Sequence, residues 1–148
     1  QAVDGDPATP GVQSDNPLAY ARGDAHEGRP PDIAGAAYTY NKTDDKLTTN
    51  YAIDRTLGTL VMQGSREGVQ PVVSPNSGQL RTVGALGLGP LAEAAFDIAD
   101  VSNAAFAALR PAGSSGTRLY EVDLDSGRAR LIGTVADGAP IRGLAVEP

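Results

Sequence analysis

From Ile33 onward, short apolar runs alternate with turn residues every ten or so positions, the spacing of an all-β sandwich, barrel or propeller. The runs are Ile33 to Asn41, Leu47 to Arg55, Thr59 to Gln63, Gln79 to Leu86, Glu93 to Asp100, Ala104 to Arg110, Arg118 to Leu124, Ala129 to Val135 and Ile141 to Val146. Within Arg118 to Leu124, Tyr120, Val122 and Leu124 alternate with Glu121 and Asp123, the period-two signature of a half-buried strand. The alanine-rich stretch Leu91 to Arg110 competes with this reading, because Leu91, Ala95, Ile98, Ala105 and Leu109 also fit a helical stripe. The polar cluster Asp100, Ser102 and Asn103 suits a turn. Two strands are therefore expected there.

An internal repeat supports the strands. Each residue of Ser77–Gly84 has its counterpart 49 positions later in Ser126–Gly133. Apolar strands follow both copies, Ala95–Ile98 after the first and Gly143–Val146 after the second. Tyr51-Ala52-Ile53-Asp54 with Gly58 likewise matches Tyr120-Glu121-Val122-Asp123 with Gly127. A period near 49 residues holding about four strands describes a propeller blade. The glycine closing each Asp-x-x-x-Gly stretch supplies the positive φ of a hairpin turn. Small residues such as Gly35, Ala36, Ala37, Ala94, Ala95 and Gly143 open the expected inner strands, where blades crowd around an axis. The fold expected is all-β and propeller-like, with about two four-stranded blades over residues 33–148.

Residues 1–32 break the pattern. They contain five prolines, and six acidic residues against Arg22 and Arg29, so four of the six net negative charges lie there. So few branched apolar residues cannot offset the entropy of ordering the segment alone. An acidic, Pro/Gly-rich extended arm is expected, either laid over a surface or flexible.

Composition narrows the function. The net charge of −6 argues against nucleic acid, which requires a basic stripe, and against an anionic membrane surface. No apolar run approaches the roughly 18 residues of a membrane span, so no membrane insertion is expected. The absence of cysteine removes disulfides, thiol chemistry and cysteine-ligated metals. A chain opening on Gln1 rather than Met reads as a processed product or a fragment.

Candidate chemistry is sparse. His26, the single histidine, has Asp24, Glu27 and Ser14 nearby in sequence, but it sits in the arm and is expected to be an exposed loop residue rather than a general base. No catalytic residue is assigned. Asp4 and Asp6, Asp44 and Asp45, and Asp123 and Asp125 offer hard oxygens of the kind Ca²⁺ takes from loops, and they are the only cofactor candidates. None has the full alternation of a calcium loop, and Asp and Ser at these positions also cap hairpins. The glycines of Gly84–Gly89 lack the Lys-Ser or Lys-Thr of a phosphate loop. Asn41-Lys42-Thr43 matches a glycosylation acceptor by three residues only. Arg128 and Arg130 belong to an exposed strand face, and Tyr38, Tyr40, Tyr51 and Tyr120 to packing with a wet hydroxyl.

Taken together, Ala36-Ala37-Tyr38-Thr39, Tyr51-Ala52-Ile53-Asp54, Leu60–Gly64, Pro75–Leu80, Val83-Gly84, Phe96-Asp97-Ile98, Leu119–Asp123 and Gly143–Val146 resemble a bacterial domain-of-unknown-function family numbered 4394. The resemblance is strong over residues 33–148 and weaker over the arm. It implies an exported, propeller-like protein, located outside the cell or in the periplasm, with no catalytic residues to carry over. It also implies an additional N-terminal half, so that this chain corresponds to the C-terminal half, with Ile141 to Val146 left to complete the sheet of the first blade in a closed ring. A half propeller exposes two sheet edges that recruit strands. The expected function is a non-catalytic structural or interaction module that self-associates, as an oligomer or fibre, or joins a complementary N-terminal fragment. The alternative is a ligand-binding or hydrolytic propeller with a loop carboxylate or calcium site.

Overall fold

A computed structural model describes residues 15–44 and 47–147. Two antiparallel meanders form two propeller-like blades. The first runs through β2 (Ile33–Tyr38), β3 (Asn50–Asp54), β4 (Thr59–Gln63) and β5 (Gln79–Ala85). The second runs through β6 (Leu91–Ile98), β7 (Ala105–Pro111), β8 (Arg118–Val122) and β9 (Ala129–Thr134). A short strand in the arm, β1 (Ala19–Tyr20), adds to the first blade by pairing parallel to β5, making that sheet five-stranded. The inner strands β2 and β6 lie side by side.

Local chemistry explains each element. Between β6 and β7, the N–H of Ala99 bonds the carbonyl of Ala104, Asn103 takes φ 56°, and the Ser102 hydroxyl accepts from the N–H of Ala104. A helix through this point would forfeit those turn bonds, so polar turn chemistry overrides alanine propensity. The two Asp-x-x-x-Gly hairpins close alike: Asp54 accepts from the N–H of Leu57 and Asp123 from that of Ser126, with φ 61° at Gly58 and 77° at Gly127. The small residues of β2 have the reason the repeat suggested. A Cβ on Gly35 would stand 3.2 Å from both Cβ and N of Phe96, leaving little room between the inner strands.

The main core fills the space between the blades. Tyr51, Ile53, Leu60 and Leu86 of the first meet Phe96, Ile98, Leu109, Tyr120 and Val122 of the second. Ile53, Leu60 and Leu109 are completely buried, each contributing about 1.5–3 kcal/mol from transfer out of water. A second core lies on the opposite, outer face of the first blade, where Ala52, Val61 and Leu80 are covered by Tyr20 of the arm.

Two expectations are corrected. Ile141 to Val146 is not a strand; it runs alongside β6 without a ladder, with the N–H of Val146 bonded to Asp97 Oδ2 at 2.7 Å. Gly143–Val146 matches Ala95–Ile98 of β6 at an offset of 48 residues, so the segment follows the inner strand of the second blade as that strand follows β2. With no neighbouring strand to continue the sheet, the ladder does not form. The other correction concerns β1: the arm, expected as a loop laid over a surface or flexible, lies on the first blade and contributes a short strand to it.

Candidate functional site

The arm and the outer edge of the first blade make the most extensive polar network. Asn16, Ala19 and Ala21 donate backbone hydrogen bonds to Asn76, Gly78 and Leu80, so the edge of β5 is already paired. The Tyr20 side chain turns over the outer face and its hydroxyl donates to Asp54 Oδ2 at 2.7 Å. Burial, then this bond to a carboxylate, drives the Tyr20 hydroxyl pKa upward. Asp54 is completely buried and also accepts from the N–H groups of Asp32 and Leu57. Its charge is thus satisfied by three donors, as a buried carboxylate requires.

Asp24 holds the next point along the edge. It accepts from the Thr82 N–H at 2.7 Å, from the Thr82 hydroxyl at 2.8 Å and from the His26 N–H at 2.9 Å. Burial alone would raise its pKa, but the Thr82 and His26 bonds outweigh burial and hold it below the ordinary carboxylate value. His26 is not the exposed loop residue expected. It is half-buried, with Nδ1 2.9 Å from Thr82 Oγ1 and its ring tilted over Tyr20. Asp, His and Thr therefore converge, yet not as a nucleophile with its base. The Thr82 hydroxyl proton goes to Asp24, so Nδ1 donates to Thr82 rather than accepting from it. The group fastens the arm.

The carboxylates weighed for calcium are dispersed. Asp4, Asp6 and Asp45 lie outside the described residues. Asp44 follows a turn in which Asn41 Oδ1 accepts from the N–H groups of Thr43 and Asp44, which also gives the glycosylation-like triplet a plain turn role. Asp123 caps its own hairpin, and the Ser126 hydroxyl and N–H hold its pKa down. Asp125 is paired with Arg66 at 2.8 Å. Arg66 also donates to the Tyr51 hydroxyl and the Leu124 carbonyl, bridging the two blades with a cation beside Asp125. Among the described residues, no three His, Cys, Asp or Glu side chains are grouped to hold a metal ion.

The edge of the second blade differs. Along β9, Leu131 and Ile132 are 49% and 48% exposed, and no further strand pairs with it among the described residues. A bulge opposite Leu119 and Tyr120 turns this edge, and Arg130 pairs across the ladder with Glu121. Tyr38 and Tyr40 are also exposed rather than packed, whereas Tyr51 and Tyr120 are in the core.

Tyr20 and Arg66 escape a reading of the sequence, and Asp54 is read there only as the start of a hairpin turn. A signal for Tyr20 existed, the short apolar run Leu18-Ala19-Tyr20-Ala21 inside the acidic arm. Arg66 carries no local pattern, because its partners come from β3 and from the distant β8–β9 turn.

Comparison with known proteins returns one family. The model of the family described as "Domain of unknown function (DUF4394)" matches residues 2–145, through the arm as well as the blades. No curated protein and no solved structure matches. No helix among the described residues is long and apolar enough to cross a membrane.

Proposed function

Because the chain belongs to the domain-of-unknown-function family DUF4394, we propose that it serves as a non-catalytic, exported structural or interaction module that assembles through the open edge of its second blade. The observation that carries this reading is the exposed β9 edge, with Leu131 and Ile132 in water where its counterpart on the first blade is paired and covered. Beyond Ala129, whose N–H bonds the Leu86 carbonyl, this strand pairs with no further strand among the described residues and bears branched apolar side chains, a template for strand addition. The occupant is a second copy of the chain, which supplies another blade to the outer side of β9. Export is proposed from what the resemblance implies, and it suits a chain without cysteine.

Native particle size measured by light scattering, with intact mass on the same sample, tests the assembly. A concentration-dependent oligomer that closes at the paired β9 edges is expected at roughly micromolar to millimolar chain. A monomer across that range overturns self-association, and a stable complex with a different polypeptide at β9 replaces the second copy as the occupant. Fractionation of cells expressing the complete protein tests export, with retention in the cytoplasm as the contrary result.

A further inference from the structure

At the end of the inner strands opposite the Arg66 bridge, the molecule has a cleft of about 320 Å³ between the start of β2, the start of β6 and the segment 141–147. Ile33, Ala34, Ala94 and Ile141 supply the apolar part of a lining that is otherwise formed by Asp32, Arg55, Glu93 and Arg142 and is more polar than apolar. Its rim is charged and repeats from blade to blade. In the first, Arg55 grips Asp32 with Nε and Nη2, both at 3.0 Å. In the second, Arg110 grips Glu93 through Nε at 3.2 Å and Nη2 at 2.9 Å. These guanidinium groups hold the Asp32 and Glu93 carboxyls below their ordinary pKa values. Both acids are therefore ionised at neutral pH.

The third inner segment breaks the series. It carries Arg142, which has no ion-pair partner among the described residues but lies close enough to favour the ionised form of Glu93. Three guanidinium groups thus meet two carboxylates. Asp54, which accepts from the Asp32 N–H, belongs to the outer face, where Tyr20 and two backbone N–H groups satisfy it. One positive charge is left beside an apolar floor, on a chain whose net charge is −6.

From this juxtaposition of an unpaired arginine, two clamped ion pairs and an alkyl-lined floor, we propose that the cleft binds a small organic monocarboxylate. The carboxylate would take the fork of Arg142 and its short aliphatic body the methyl groups of Ala34 and Ala94. A single surplus charge matches a monoanion better than a phosphate dianion. The clamped acids exclude more negative ligands by like-charge repulsion.

Butyrate is the probe, with butylamine and inorganic phosphate as comparisons, read by amide and arginine Nε chemical shifts of the intact chain. Saturable shifts confined to Ala34, Ala94 and Arg142 are expected with butyrate and none with butylamine. Arg142→Gln, on an exposed segment outside the ladders, should weaken binding at least about tenfold. Glu93→Gln, which releases Arg110, should tighten it severalfold. No saturable shift with butyrate, equal affinity in Arg142→Gln, weaker binding in Glu93→Gln, or a stronger response to phosphate would each overturn the assignment. Association through β9 does not enter these readouts.

Discussion

The outer edges of the two blades are written in one repeat yet end differently. Ser77–Gly84 and Ser126–Gly133 share the turn, the glycine that enters the strand and the glycine that leaves it. In the first copy Leu80 is fully buried and Thr82 is held by Asp24; in the second the same places carry Ala129 and Leu131, and Leu131 is half exposed. The repeat therefore sets strand and turn, while the side chains facing outward decide whether the edge is sealed. Leu80 gives Tyr20 something to pack on, and Thr82 gives Asp24 two donors. Ala129 and Leu131 offer neither.

Removing the seal should have the largest effect. Tyr20→Ala strips the cover from Ala52, Val61 and Leu80 and takes one donor from buried Asp54, so unfolding by urea should show a loss of about 3–5 kcal/mol. In this variant β5 should behave as β9 does, and the particle should grow through a second edge. Asp24→Ala comes next, leaving the Thr82 N–H without its acceptor; a loss of about 1.5–3 kcal/mol is expected, with faster amide exchange at Thr82.

Acid should loosen the first edge selectively. The Asp24 carboxyl is held below its ordinary value of 3.8 in the folded chain. Its contribution is therefore complete above that value and disappears as pH falls through the lower folded one. Exchange at Thr82 should accelerate in that window, and Asp24→Asn should abolish the acid dependence while β9 amides remain indifferent.

The smallest stability effect belongs to the open edge. Ile132→Lys exchanges a half-exposed side chain for a charged one and should alter the unfolding free energy by no more than about 0.5 kcal/mol. It should nonetheless abolish assembly, since an edge lysine is a common device against strand pairing. A large loss of stability here would mean that β9 is supported from within its own chain.

Much of the blade architecture was legible because hairpins are local. Tyr120, Val122 and Glu121 alternate as a strand must, Asp54 and Asp123 cap turns within four residues, and Asn103 with Ser102 breaks the alanine-rich run. The arm was not legible, since Tyr20 acquires its role only when Asp54, 34 positions away, folds beneath it. The same applies to Asp24 with Thr82 and to Arg66 with Asp125, whose separations lie beyond any periodic pattern. Ile141 to Val146 failed for the opposite reason: its composition is that of a strand, but the ladder needs a neighbour that local pattern cannot supply. The calcium candidates show a third limit. Carboxylates close in sequence resemble ligand sets, whereas Asp123 turns to its own hairpin and Asp125 to an arginine of the other blade.

Amide hydrogen exchange across a dilution series reads both edges in one sample. Assembly through β9 requires that its amides facing away from β8, beyond Ala129, become protected as chain concentration rises, while the amides of β5, already beneath the arm, remain unchanged. Exchange at β9 that is equally fast at every concentration, or concentration-dependent protection confined to some other surface, would contradict it.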